Sequence, residues 1–100
     1  MDLKNIQRLS LCESKNTLQR FLKLSEECGE LAQEILIAQN ASGFHNKHAG
    51  PDGIKGEAVD VLLVALSIFF CHGGSIEELD AISHKKSLKW QNAQALSTDN

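Results

Sequence analysis

Apolar residues recur at α-helical spacing along the first forty residues of the chain. A short amphipathic first helix is predicted from Leu3, Ile6, Leu9 and Leu11. Asn16 followed by Gln19 is typical of a helix start, so a long second helix is predicted over about 17–39. Its apolar positions are Leu18, Phe21, Leu22, Cys28, Leu31, Ala32, Ile35 and Leu36. Gly29 lies inside it and is expected to permit close approach of another element.

The second half of the chain predicts a loop and two more helices. Residues 40–53 are rich in Gly and Asn and carry the single proline, which is typical of a loop. A third helix is predicted over 54–72; it is apolar on nearly every side, so it should be buried in the domain or at a subunit interface. Two glycines at 73–74 should end it, and Ser75 with Glu78 matches the capping box of a fourth helix. The polar end after about residue 96 should fray.

Length and composition favour one small all-α domain over residues 1–100, with four helices in a bundle-like arrangement. The net charge is −3 without a basic block, so nucleic-acid binding is not expected. The longest apolar run, 61–71, is too short to span a bilayer, and residues 1–5 lack the apolar core of a signal peptide. Three separated cysteines are interpreted as reduced, buried residues of a cytoplasmic protein.

Two pairs of acids carry the candidate chemistry. Glu27 and Glu30 are three residues apart on the second predicted helix, and Glu57 and Asp60 are three apart on the third. Residues at this spacing lie side by side on one helix face, so antiparallel packing would bring four carboxylates together. The alternative is that these acids are ordinary solvated pairs on the protein surface. This alternative applies more to Glu27 and Glu30 than to Glu57 and Asp60, because the third helix is largely apolar.

Carboxylates gathered in a partly dry site raise one another's pKa and need a compensating cation. Lys55 is the base nearest in sequence to the second pair. Magnesium prefers oxygen ligands and leaves positions for phosphate oxygens, whereas zinc or copper would call for His and Cys at matched spacing. The four histidines show no such spacing relative to the cysteines. A magnesium site is therefore predicted, in which manganese can substitute.

The two acidic segments resemble a known family. Residues 26–32 read EECGELA and residues 56–62 read GEAVDVL. This pattern, EExxE followed by ExxD, is similar to the signature of the all-α nucleoside triphosphate pyrophosphohydrolases of the MazG type, and the likeness spans about residues 18–90. The resemblance implies magnesium-dependent cleavage between the α and β phosphates, giving a nucleoside monophosphate and pyrophosphate. It also suggests house-cleaning of unwanted deoxynucleotides, and a homodimer or dimer of dimers with active sites beside the interface.

The resemblance also implies roles for individual residues. Glu27, Glu30, Glu57 and Asp60 would hold the metal, and Glu27 would thereby belong to the catalytic group. Glu26 would be catalytic by binding a further metal or positioning the attacking water. Substrate-binding residues would be Lys85, Lys89 and Trp90, with Asn92 near phosphate; a solvated face is the alternative. In the loop, Phe44, His45 and Lys47 are weaker candidates for contacts to base or sugar.

Three other interpretations compete with this one. A di-iron carboxylate protein would need Glu-x-x-His, which the two motifs lack. A non-catalytic helical oligomerisation or interaction module should not be stabilised by magnesium and a triphosphate. A relative could also hydrolyse another pyrophosphate substrate. The preferred base and sugar do not follow from the sequence, because a few pocket contacts decide them.

Overall fold

The computed structural model describes residues 1–40, 43 and 48–98, and over these ranges its regular secondary structure is all α-helix, without a strand. Four helices follow in order: α1 (Leu3–Cys12), α2 (Thr17–Ala38), α3 (Gly53–Cys71) and α4 (Ile76–Thr98). The predicted helices are confirmed within two residues at each end. Across the described part of the chain, none of the helices combines the length and hydropathy that crossing a bilayer requires.

Local hydrogen bonds explain where α2 and α4 begin. The Asn16 side chain accepts from the N–H of Gln19 at 2.8 Å, and the Gln19 side chain accepts from the N–H of Asn16 at 2.9 Å. Ser75 and Glu78 form the same reciprocal pair at the start of α4. Each pair satisfies two N–H groups that a helix start leaves without partners. Both predicted capping boxes are therefore confirmed.

The α3–α4 turn needs its two glycines for different reasons. Gly73 has φ +84°, a left-handed conformation that side chains disfavour. A Cβ at Gly74 would collide with the ring of Phe69. Glycine is therefore needed at 73 for its backbone conformation, and at 74 because the Phe69 ring leaves no space for a side chain.

Helices α2 and α3 pack antiparallel, and three cross-helix contacts fix their register. Near one end, Thr17 Oγ1 lies 3.0 Å from His72 Nε2. One turn further, the Arg20 guanidinium donates to the carbonyl of Ser67 at 3.3 Å. At the other end, the N–H of Gly50 donates to Glu34 Oε1 at 2.6 Å. In this register, the numbers of two facing residues, one on α2 and one on α3, add up to about 87. Glu27 therefore lies opposite Asp60.

Arg20 joins three helices through one buried guanidinium. It is 2% exposed, and it donates to the carbonyls of Ser10, Glu13 and Lys15 as well as that of Ser67. It also lies 3.5 Å from a Glu13 carboxylate oxygen. Because these carbonyls belong to α1, the α1–α2 connection and α3, Arg20 fixes the position of α1 over α3.

The apolar core of the single chain is small. Among the described residues only Leu66 and Phe70 are buried hydrophobic side chains. Val59, Leu62 and Leu63 on α3 are 49%, 41% and 38% exposed, so one chain does not cover every side of this helix. Burial of the uncovered sides of α3 at a subunit interface stays a prediction.

Helix α4 departs from a closed bundle. Ile76 and Leu79 in its first turns are partly buried, and they line a cleft with Leu3, Leu62 and Leu66. From residue 81 to residue 97 every side chain is exposed. The radius of gyration is 16.8 Å, compared with about 13 Å for a compact domain of this length. The predicted bundle is thus three packed helices with a fourth that projects from them.

Two smaller expectations are wrong. Cys12 and Cys28 are exposed and Cys71 is partly buried, although all three are free thiols. A Cβ at Gly29 would meet nothing within 4 Å among the described atoms, so this glycine admits no close neighbour within the chain. Both errors arise because helical spacing predicts which residues share a face but not whether anything covers it.

Candidate metal centre

Three of the four predicted ligands come together between α2 and α3. Glu27, Glu57 and Asp60 each offer one carboxylate oxygen, and these oxygens lie within 4.8 Å of one another. Glu27 comes from the middle of α2, whereas Glu57 and Asp60 lie on successive turns at the start of α3. The antiparallel register creates this group, because it sets the middle of α2 against the first turns of α3.

The group is partly dry, and it contains unsatisfied oxygen atoms. Glu27 is 6% exposed, and Glu57 and Asp60 are partly buried. Within the described structure, Glu27 Oε2 and Glu57 Oε2 are both buried without a hydrogen-bond partner. A buried carboxylate oxygen without a donor is costly, and such atoms call for an explanation such as an ion.

The fourth predicted ligand, Glu30, lies beside this group rather than within it. Its side chain is exposed, and its oxygens are not part of the three-residue set. The charge of Glu27 raises the pKa of Glu30, with smaller contributions from burial and from a hydrogen bond to Glu27. Glu30 is therefore close enough to interact electrostatically with Glu27.

Burial is the main cause of the raised pKa of Glu57. The charges of Glu30, Asp60, Glu27 and Asp52 raise it further. A group that is both desolvated and surrounded by like charges favours its protonated form, unless a cation compensates. The surroundings of Glu57 thus disfavour its ionised form when no cation is bound.

Among the described residues, Lys23 supplies the positive charge that contacts these acids. Its Nζ lies 2.9 Å from Glu27 Oε1 and 3.5 Å from Glu26 Oε1. The hydrogen bond to Glu27 raises the pKa of Lys23, and the charges of Glu26 and Glu27 add to this effect. Sequence analysis missed Lys23, although its spacing of four residues from Glu27 on one helix was a visible signal.

Glu34 is a second residue that sequence analysis missed. It is 8% exposed and accepts the N–H of Gly50 at 2.6 Å. It follows Glu27 and Glu30 on the same face of α2, at helical spacing. Its contact holds residue 50, just before α3, against α2 and so helps to position the helix that carries Glu57.

The other predicted site residues lie away from this centre or outside the described residues. Glu26 is exposed and contacts Lys23. The substrate-binding candidates Lys85, Lys89, Trp90 and Asn92 all lie on the exposed part of α4. Their roles stay predictions. Phe44, His45 and Lys47 fall outside the residues that the structure describes.

The three-residue group fits a small, hard divalent cation. Oxygen ligands of one octahedral magnesium ion lie about 2.1 Å from it, so opposite ligands are about 4.2 Å apart. The observed limit of 4.8 Å is slightly wider. Glu27 and Glu57, one from each helix, also each have a buried oxygen without a donor among the described residues, and such oxygens suit a cation.

A cleft opens directly beside the carboxylates. Lys23 on α2 and Val64 on α3, each one turn from the acidic group, are part of its wall. The cleft continues along Arg20 and Ser67, and α1 closes it on the far side. Its other lining residues are Asn5, Ile6, Leu9, Ser10, Cys12, Glu13, Lys15 and Leu63. The cleft therefore begins one helical turn from the acidic group, with Lys23 between the two.

Comparison with known proteins adds no assignment. The chain matches no protein-family model, and no curated protein or solved structure is significantly similar to it. The resemblance to the pyrophosphohydrolases consequently rests on the two acidic motifs alone. The function has to be argued from the chemistry of the site.

Proposed function

We propose that this chain is a magnesium-dependent nucleoside triphosphate pyrophosphohydrolase of the MazG type. The observation that carries the proposal is the buried Glu27, which has an unpartnered oxygen and offers a carboxylate oxygen within 4.8 Å of oxygens of Glu57 and Asp60. Three converging carboxylates repel one another, so they favour a site that binds a divalent cation. The EExxE and ExxD motifs support the same activity.

In this proposal the carboxylates hold the cation and orient the triphosphate. When bound, magnesium would polarise the phosphoryl oxygens and offset the charge that develops on the leaving pyrophosphate. Glu27, Glu57 and Asp60 would hold it, with Glu30 as the fourth ligand. Glu26, which is exposed and contacts Lys23, would bind a further metal or position the attacking water.

The basic residues of α4 are the second part of the proposed site. No Asp or Glu occurs between residues 81 and 98, so Lys85 and Lys89 give this segment a positive charge. Within the described residues, no ion pair links these lysines to the acids in the same chain. They are free to bind phosphate, with Trp90 available to stack on a base and Asn92 to donate a hydrogen bond.

The active form is proposed to be a homodimer or dimer of dimers. Large apolar side chains are exposed on all four helices, among them Leu11, Phe21, Val59, Leu62 and Leu88. A second copy would cover these faces, in keeping with the small core of one chain. Multi-angle light scattering should give a mass of two or four chains, and a monomer at micromolar concentration would contradict this part of the proposal.

The activity is tested with a panel of nucleoside triphosphates and magnesium, with monophosphate, pyrophosphate and orthophosphate measured separately. Monophosphate and pyrophosphate should appear in equal amounts. Orthophosphate as the main product would contradict cleavage between the α and β phosphates. Glu57→Gln should abolish turnover, whereas Glu77→Gln, the same change on an exposed first turn of α4, should not.

An interaction module is the second candidate, because the exposed apolar faces suit self-association without catalysis. It predicts a stable oligomer that neither binds magnesium nor hydrolyses any member of the panel. A hydrolase for another pyrophosphate substrate would bind magnesium and leave the nucleotides intact. Metal binding and turnover, measured on one preparation, therefore separate the three functions.

A further inference from the structure

We propose that Lys23 binds a phosphate of the substrate at the point where the carboxylate centre opens into the cleft between α1, α2 and α3. This inference rests on the proposed function, since it assigns a residue to the triphosphate of that same site. Neither acidic motif includes Lys23. Its assignment comes from the tertiary structure.

The position of Lys23 is the first reason. It lies one turn before Glu27 on α2, and Val64 lies one turn after Asp60 on α3. Because the helices are antiparallel, these single turns lead in the same direction, and both residues line the cleft. One turn is about 5.4 Å, so a phosphate chain that leaves the metal centre on this side must pass Lys23.

The second reason is that the two carboxylate oxygens of Glu27 have different surroundings. Oε1 contacts Lys23 at 2.9 Å, while Oε2 is buried and lacks a partner. The free Oε2 is available to a cation, so Lys23 need not leave Glu27 when one binds. Its ammonium group has three donors, of which Glu27 takes one and the more distant Glu26 weakly takes another. A donor therefore remains for a ligand, on a side chain that is 41% exposed.

The third reason is that the other cations lining the cleft have their contacts away from the acidic group. Arg20 is buried and donates to four carbonyl groups. Lys15 pairs with Glu13 at 3.2 Å, on the α1 side of the cleft. Among the described residues, Lys23 is the cation that both lines the cleft and contacts the acidic group.

Calorimetric titration can test this role without knowledge of the base. Magnesium alone and magnesium with inorganic tripolyphosphate would be titrated into the wild type, Lys23→Gln, Lys23→Arg and Lys55→Gln. Lys55 is the matched control, because it is an exposed lysine two residues from Glu57. Circular dichroism would confirm that each variant keeps its helices.

We expect Lys23→Gln to weaken tripolyphosphate binding roughly tenfold or more, the size of a lost charge-assisted hydrogen bond. Magnesium alone should bind as tightly or more tightly, because a positive charge beside its ligands has been removed. Lys23→Arg should restore most of the affinity for tripolyphosphate, and Lys55→Gln should stay close to the wild type.

Two results in the variants would overturn the inference. If Lys23→Gln binds tripolyphosphate like the wild type, Lys23 does not contact the phosphate. If affinity for magnesium alone falls in parallel, Lys23 only positions Glu27. A wild type that binds neither ligand removes the proposed function itself, and with it this inference, and that outcome is visible before any variant is made.

Discussion

Glu27 on α2 and Glu57 on α3 each bury one carboxylate oxygen, Oε2, that no described donor reaches. These two side chains and Asp60 each offer a carboxylate oxygen within 4.8 Å of the others. Unsatisfied oxygens on two such neighbouring carboxylates are unfavourable for the metal-free chain. Their cost is reduced when a cation binds between them, so metal binding and stability should be linked.

Magnesium should therefore raise the melting temperature of the wild type. A ligand that binds only the folded state stabilises by about 2.7 kcal/mol at a concentration one hundred times its Kd. Differential scanning fluorimetry with magnesium chloride from micromolar to millimolar concentrations measures the shift. Glu57→Gln should lose it and Glu77→Gln should keep it. Equal shifts in all three proteins would show that magnesium acts elsewhere.

The metal-free chain should lose stability as the pH rises through the pKa of Glu57. Burial and neighbouring acids raise the pKa of Glu57, and the charge of Glu27 raises that of Glu30. The folded state then holds protons that the unfolded state has released, so stability falls with rising pH between the unfolded and folded pKa values. The penalty is absent below the unfolded pKa and complete above the folded one.

Urea unfolding in the presence of a chelator, from pH 4 to pH 8, measures this contribution. The difference in stability between Glu57→Gln and the wild type should grow in favour of the variant as the pH rises. A difference that stays constant would mean that Glu57 titrates alike in both states. Saturating magnesium should reverse the trend, because the metal needs the ionised carboxylate.

Removing the Arg20 guanidinium should destabilise the whole fold. Arg20→Met would keep much of the side-chain volume but leave four carbonyl groups without their donor. Unsatisfied buried acceptors of this kind suggest a loss of about 2–4 kcal/mol. Chemical denaturation measures the loss, with Arg8→Met on the exposed side of α1 as the control. If both variants are equally stable, Arg20 does not link the three helices.

Substitution of Gly29, in contrast, should increase the stability of the fold. A methyl group there meets nothing within 4 Å in the described chain, so Gly29→Ala should stabilise α2 by about 1 kcal/mol through helix propensity. Thermal unfolding of the two proteins at equal concentration measures the gain. A loss of stability, together with a smaller mass by light scattering, would mean that a second copy packs closely against Gly29.

Much of the secondary structure was predictable because its signals are local. Asn16 with Gln19, and Ser75 with Glu78, start helices through contacts three residues apart. The glycines at 73 and 74 end α3 through backbone geometry and a close approach to Phe69. The exposure of α4 and of two cysteines was not predictable, since burial depends on which elements pack on each face.

The candidate site was likewise predictable from local spacing only in part. Spacing by itself placed Glu57 beside Asp60, and Glu27 beside Glu30, because residues three apart share a helix face. Only the antiparallel register set Glu27 against Asp60, left Glu30 at the margin and turned Lys23 into the cleft. That register is fixed by contacts between residues far apart in the chain, such as Arg20 with Ser67 and Glu34 with Gly50. The sequence thus determined which acids lie side by side on one helix, and packing decided which of them meet.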